Sequence, residues 1–429
     1  MRKLKIAVIG AGSSYTPELI EGFIARADKL NVGSFSFMDI DLNKAGIIAA
    51  LAERMLRGRG VPSGIILTDN LNEAVSGSDY VLGQIRVGGL DARVLDEKIP
   101  PRYDLIGQET TGAGGFMKAL RTVPEVLKIA KSIENHAKDA WYINFTNPAG
   151  IVTQALQHTA VKNIGLCNGP INMIRNVKKM LPSDTRSFDY DFAGLNHLCF
   201  ITAVYADWVD ILHKLIDSGL NSAEFKNITA KDFPAELLKA IGGIPAAYLN
   251  YYLNRDEQLK ICRDAEKTRG EICREVEADL FKLYRDTSLC EKPRELSERG
   301  GALYSEAAVS IIDAIENDKN EVHVVNVKNR NAYPFMDYDD VVEVKCVINK
   351  NGAAPICLKD FNNDYIIGLM RAVKAFERLT VKAAMTGCYE TALLALLAHP
   401  LVQDYTRAKG VLDEMLEANR AFLPAGAFL

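Results

Sequence analysis

Cys167 and His197 are the pair in this sequence best suited to metal chemistry by residue type and placement. Cys167 closes a strand-like run over 163–167, and His197 falls within a later strand-like stretch over 188–210. A thiolate and an imidazole hold a divalent transition metal and leave positions open for substrate oxygens. The same two residues also suit a commoner arrangement, a buried thiol and a satisfied histidine. Cys199 lies two residues beyond His197, would share its strand face, and so competes as a ligand. The other histidines (His136, His158, His213, His323 and His399) stand without polar company and read as structural.

A second constellation suits a dinucleotide. Gly10-Ala11-Gly12-Ser13-Ser14-Tyr15 ends a strand and leads into Thr16-Pro17-Glu18, where Thr16 suits an N-cap and Pro17 the first helical turn. Glycines there let the backbone approach a pyrophosphate, whose charge the helix N-terminus favours. Tyr15 replaces the third glycine of the usual fingerprint. Asp39 ends the next strand, where a carboxylate takes a ribose 2′-hydroxyl and repels a 2′-phosphate, so NAD is expected rather than NADP. Between Arg86 and Gly115 runs a polar stretch that includes Arg93 and Gly107-Gln108-Glu109-Thr110. It is either a solvated loop or an arginine clamp for an anionic group. Asn144-Phe145-Thr146-Asn147-Pro148 is either a capped turn or a set of amides aimed at cofactor and sugar hydroxyls. Tyr248, Tyr251 and Tyr252 form an aromatic cluster of the kind usually found in a core.

The elements that must position these residues alternate through the first half. Strands are expected over 4–9, 34–38, 64–67, 80–85, 141–145 and 163–167, with helices over 17–27, 44–56 and 117–137. Such alternation implies a parallel sheet with helices on both faces. After about residue 170 the pattern changes to antiparallel strand over 188–210 and one long charged helix over 256–284. Strands near 322–327 and 341–348 follow, then a Lys350-Asn351-Gly352 hairpin turn and helices over 362–422. The expectation is an α/β fold: a Rossmann-like, doubly wound domain over 1–170 and an α+β substrate, metal and oligomerisation domain over 171–429.

Composition agrees with two joined globular domains. The chain has 429 residues, 48% hydrophobic and 25% charged, too long for one domain of roughly 100–200 residues. Lys+Arg 51 against Asp+Glu 55 leaves a net charge of −4, with no global attraction to nucleic acid or anionic membrane. No apolar run is long enough to cross a bilayer, and the N-terminal one is too short for a signal peptide. Eight cysteines without a C-x-x-C pair suggest neither a disulfide framework nor a zinc ribbon, and a cytoplasmic protein is expected.

Taken in order, Ile6-Ala7-Val8-Ile9-Gly10-Ala11-Gly12-Ser13-Ser14, Gly107-Gln108-Glu109-Thr110, Asn144-Phe145-Thr146-Asn147-Pro148 and Gly194-Leu195-Asn196-His197 resemble glycoside hydrolase family 4. Members of that family are NAD- and metal-dependent glycosidases that do not use the usual carboxylate pair. The resemblance implies a lactate/malate dehydrogenase-like fold, NAD held by Gly10, Gly12, Ser13, Ser14, Asp39 and Asn144, and Mn²⁺ or another divalent metal on Cys167 and His197. It implies Tyr248 as catalytic base and Arg93, Asn147, Asn168 and Arg269 as contacts to the sugar or its phosphate. Cys167-Asn168-Gly169-Pro170 is similar to the 6-phospho-β-glucosidase branch. The implied substrate is a phosphorylated disaccharide or β-glucoside, and the implied assembly a homodimer or homotetramer.

The implied reaction oxidises C3 with NAD, removes the C2 proton, eliminates the aglycone from C1, adds water and returns the hydride. Alternatives are an NAD-dependent 2-hydroxy acid dehydrogenase, a non-catalytic dinucleotide sensor, and a family member acting on an unphosphorylated or α-linked glycoside. The dehydrogenase would release NADH stoichiometrically and leaves the Cys167/His197 pair unexplained.

Overall fold

The computed structural model describes residues 2–219, 232–299 and 304–428. Thirteen strands are described: β1 (Leu4–Ile9), β2 (Val32–Met38), β3 (Gly64–Thr68), β4 (Tyr80–Gly83), β5 (Trp141–Asn144), β6 (Lys162–Gly165), β7 (Phe188–Leu195), β8 (Leu198–Ala206), β9 (Val209–Asp210), β10 (Ile244–Pro245), β11 (Glu321–Lys328), β12 (Val341–Asn349) and β13 (Gly352–Pro355). Nine of them form one sheet in the order β13-β12-β11-β6-β5-β4-β1-β2-β3. The first six are parallel and stand in the doubly wound order 3-2-1-4-5-6. Their apolar runs are buried because helices cover both faces; Ile6, Ala7 and Val8 of β1 are wholly enclosed.

β11 joins this sheet antiparallel to β6, through Asn326 opposite Gly165, and β12 and β13 continue it. The expected division near residue 170 is therefore crossed by a sheet that both halves share. A smaller antiparallel sheet, β10-β8-β7 with β9 on β8, lies beside it. The C-terminal helices Asp364–Thr386, Tyr389–Ala398 and Tyr405–Ala418 pack against the long helix Gly112–His136. No helix of the described residues is long and apolar enough to cross a membrane.

Three local expectations are corrected. The helix expected over 256–284 is two, Arg255–Asp264 and Arg269–Tyr284. The second starts where the Thr268 hydroxyl accepts from the Glu271 amide and the Glu271 carboxylate accepts from the Thr268 amide, a reciprocal capping box that stops the first helix from running on. Thr16 is the first helical residue rather than the cap, and its hydroxyl donates to the Ala11 carbonyl at 2.8 Å. His197 lies in the turn between β7 and β8 rather than on a strand, because Leu195 pairs with Leu198 and leaves Asn196 and His197 to turn the chain.

Candidate active site

The turn after β1 sits where the strand order reverses, the usual ligand crevice of a doubly wound sheet. Gly10 has φ 88°, and a Cβ there would stand 3.0 Å from the Gln84 backbone, so only glycine fits. The Gly12 amide donates to Asp39 Oδ2 at 2.8 Å, and the other oxygen of Asp39 accepts from the Asp41 amide at 3.0 Å. Asp39 thus fixes the glycine turn and stays half-exposed at the end of β2. Ser13 Oγ accepts from the Tyr15 amide at 3.3 Å. Ser14 is buried, and its hydroxyl donates to Glu277 on the helix Arg269–Tyr284 at 3.3 Å. The Asn144 side chain folds its own loop, donating to the Thr146 carbonyl and accepting from the Thr146 amide.

Cys167 follows β6 and is buried, with the Gly169 amide donating to its sulfur at 3.3 Å. Burial pushes the thiol up from its ordinary range, aided by the Glu343 carboxylate, while hydrogen bonds from Gly169 and Asn196 act in the opposite sense. His197 is held at φ 66° in its hairpin turn. Its ring stacks on the Tyr248 ring with centroids 4.0 Å apart and planes 9° apart. Burial, with help from the nearby Lys118 ammonium, pulls the imidazole down to about 3, so it is neutral at ordinary pH. The Thr110 backbone hydrogen-bonds the ring, while Nδ1 is buried without a partner. Tyr248, on the short turn Ala247–Leu249, is pushed up by burial and by the Cys167 sulfur, and a hydrogen bond from the Thr110 side chain opposes this.

The turn at Asn196–His197 breaks the shared-face argument, and Cys199 points into the core with its sulfur 3.8 Å from Met173 Sδ.

Next to the stack, the polar stretch of Arg86, Arg93 and Glu109 folds into a buried charge cluster with Lys118, the one member that the sequence did not single out. Glu109 is enclosed by Arg86, by Lys118 Nζ at 2.7 Å and by Arg93 at 3.0 Å. These cations hold the Glu109 carboxyl well below the usual range against its burial, while burial pulls the Lys118 ammonium down to about 7. Arg93 is 3% exposed and also donates to Glu97 at 2.8 Å. The other Glu97 oxygen accepts from the Gly270 amide at 2.6 Å, which brings Arg269 at the start of its helix beside Arg93. Arg269 itself is half-buried and donates to the Glu298 carbonyl at 2.9 Å. Asn147, joined by a cis bond to Pro148, has its Oδ1 buried without a partner, and Asn168 is half-buried just before the helix Gly169–Lys179.

A sulfur and an orphaned imidazole nitrogen form a donor set that suits a borderline-soft divalent metal. A bound cation would also reverse the upward push on the Cys167 thiol, since a coordinating thiol ionises. The Gly10–Gly12 turn, open to close approach at a strand's carboxyl end, suits a pyrophosphate. The residues therefore fit both groups.

Comparison with known proteins identifies the family. The description "Family 4 glycosyl hydrolase" matches residues 5–183, and "Family 4 glycosyl hydrolase C-terminal domain" matches residues 192–402. The chain belongs to family 4 of the glycosyl hydrolases. Among family 4 relatives, the probable 6-phospho-beta-glucosidase of Bacillus subtilis (strain 168) is 45% identical, with 98% of this chain and 97% of that one covered. The structure of the 6-phospho-beta glucosidase from Thermotoga maritima with NAD and glucose-6-phosphate has a TM-score of 0.90 at 36% identity, covering 98% and 99% of the two chains. A second structure of that protein, with manganese, NAD+ and glucose-6-phosphate, has a TM-score of 0.89 at 34% identity, covering 99% and 100%. The lactate dehydrogenase of Cryptosporidium parvum shares the fold alone, with a TM-score of 0.53 at 17% identity over 90% and 99% of the chains. NAD and Mn²⁺ are thus cofactors of this family, and the expected Rossmann-like sheet with a dehydrogenase-like second lobe is observed.

Proposed function

We propose that this family 4 enzyme hydrolyses 6-phospho-β-glucosides, with Cys167 and His197 as metal ligands and Tyr248 as the base. Bound NAD supplies a reversible hydride acceptor for C3, and the divalent metal a Lewis acid for the sugar oxygens. Tyr248 takes the proton from C2 as the phenolate, the form that a neighbouring cation favours against the effect of burial. Loss of that proton drives departure of the aglycone from C1, where water then adds. Gly10, Gly12, Ser13, Ser14, Asp39 and Asn144 shape the cofactor crevice. Asn147 and Asn168 orient sugar hydroxyls, and Arg93 and Arg269 receive the phosphate, where charge-assisted bonds are strongest.

The observation that best supports this reading is the flat stack of Tyr248 on His197 at 4.0 Å, which sets a phenol beside an imidazole with an orphaned nitrogen. The names of full-length relatives support the 6-phospho-β-glucoside. A cytoplasmic location accords with eight unpaired cysteines, and a homodimer or homotetramer with exposed apolar side chains such as Trp208, Leu394 and Tyr405. Assay on nitrophenyl β-glucoside 6-phosphate, with NAD⁺ and Mn²⁺ omitted in turn, tests the function. Turnover lost on either omission is expected. Stoichiometric NADH with a keto product would instead make the enzyme a dehydrogenase.

A further inference from the structure

Behind the Cys167–His197 pair lies a small buried network that takes no part in the reaction described above. Glu343 on β12 is wholly enclosed, and its Oε1 accepts from Asn196 Nδ2 at 3.2 Å and from Asn326 Nδ2 at 2.9 Å. Asn326 on β11 stands opposite Gly165 on β6, two residues before Cys167. A Cβ on Gly165 would come 3.0 Å from Asn326 Cβ and 2.1 Å from Thr153 Oγ1, so the strand that carries Cys167 is closely seated. Asn196 precedes His197 in the hairpin turn. Its Oδ1 accepts from the Gly150 amide at 3.3 Å, just after the cis Asn147–Pro148 bond, and its side chain also donates to the Cys167 sulfur.

One amide thus touches four segments: β12, the loop carrying Cys167, the hairpin of His197, and the helix that follows Asn147. Only an amide side chain accepts at one atom while donating twice at the other. We propose that Asn196 is the positioning residue of the metal pair, with Glu343 and Asn326 as its buried anchors, so that sulfur and imidazole are presented at a fixed separation. This rests on the metal reading of Cys167 and His197. Groups that orient ligands in this way are worth about 10–100-fold in metal affinity.

Binding of Co²⁺, as a coloured substitute for Mn²⁺, tests this without turnover. The wild-type chain should show a thiolate-to-cobalt charge-transfer band that Cys167→Ser abolishes. Asn196→Ala, in a half-buried turn, should leave NAD binding near wild type and lower the melting temperature only by the hydrogen bonds it removes. It should weaken Mn²⁺ binding by about 10–100-fold in equilibrium dialysis. The band should also move to longer wavelength, because the sulfur loses a donor. Glu343→Gln keeps the accepting oxygen and should stay near wild type, whereas Glu343→Leu, similar in size without an acceptor, should match Asn196→Ala. If Glu343→Leu fails to fold, Asn196→Ala decides alone. An Asn196→Ala protein with unchanged band and affinity overturns the positioning role and leaves the metal site standing. A wild-type protein without any Cys167-dependent band overturns the metal site itself.

Discussion

The turn after β1 is made by residues 10–16 and is braced by Asp39, Gln84, Glu277 and Tyr284, whereas the proposed metal centre gathers Cys167, His197 and Tyr248 from three separate segments. In the turn, backbone groups would do the binding, and they are fixed by a positive φ and a carboxylate that accepts two amides. In the proposed metal centre, side chains would do the work, and they are buried beside a charge cluster drawn from residues 86–118. A site of the first kind tolerates substitution of nearby side chains so long as the turn survives. A site of the second kind depends on each member and on whatever neutralises its neighbours.

Cys167→Ser gives the sharpest break in that comparison. It should lower activity by at least ~10³-fold, since Lewis-acid stabilisation is worth several kcal/mol, and leave NAD binding untouched. Retained activity and Mn²⁺ affinity would show that the two regions do not divide labour in this way. Tyr248→Phe should lower kcat by about 10²–10⁴-fold, again with NAD binding intact. Kinetics and dinucleotide titration on the same samples measure both.

The two arginines proposed for the phosphate differ in how much buried charge they also balance. Arg93→Ala leaves Glu97 and Glu109 short of a partner in a buried setting and should cost about 3–5 kcal/mol of stability, read by denaturant unfolding. Arg269→Ala should cost little stability and weaken phosphorylated-substrate binding by about 1.5–3 kcal/mol. Equal losses on phosphorylated and plain β-glucosides would mean that Arg269 does not read the phosphate.

Two buried histidines give a finer contrast. His197 has an orphaned Nδ1, but His399 accepts from the Leu401 amide at Nδ1, 3.1 Å, and its Nε2 lies 3.3 Å from the Gly112 amide. Burial pulls His399 down to about 3. Its folded value lies below the unfolded one, so below pH ~6.5 the unfolded chain binds a proton that the native chain refuses. Stability should therefore fall with pH, by up to ~1.4 kcal/mol per unit for this residue. His399→Gln should flatten the slope by about one proton; an unchanged slope would mean His399 is not buried neutral. Cys199→Ser, the smallest effect, should be almost silent in the activity assay.

Much of the fold is legible locally. β1 coincides with its expected bounds because six apolar-rich residues run straight into a glycine turn. The Gly12–Asp39 link follows from the strand–turn–helix pattern. Other features are set by partners that a linear reading cannot see. The helix over 256–284 reads as continuous because its charges keep helical spacing, although Thr268 and Glu271 carry the capping signal that divides it. His197 reads as a strand residue because the hairpin turns at Asn196 and His197 without a glycine. Lys118 and Glu343 belong to no motif of the linear sequence; their burial depends on Glu109 and on Asn196 and Asn326, brought in by other elements. A lysine within the apolar run Gly114-Gly115-Phe116-Met117-Lys118-Ala119-Leu120 was the one available hint.

The central claim is that Tyr248 removes the C2 proton. Hydrolysis of nitrophenyl β-glucoside 6-phosphate in D₂O, followed by NMR of the released sugar, tests it most directly. A base that exchanges with solvent leaves deuterium at C2, whereas a two-carboxylate glycosidase breaks only the bond at C1 and leaves C2–H untouched. The expected result is deuterium at C2 in the wild-type product, with exchange and turnover both suppressed in Tyr248→Phe. Product formed at full rate with no deuterium at C2 would contradict the account.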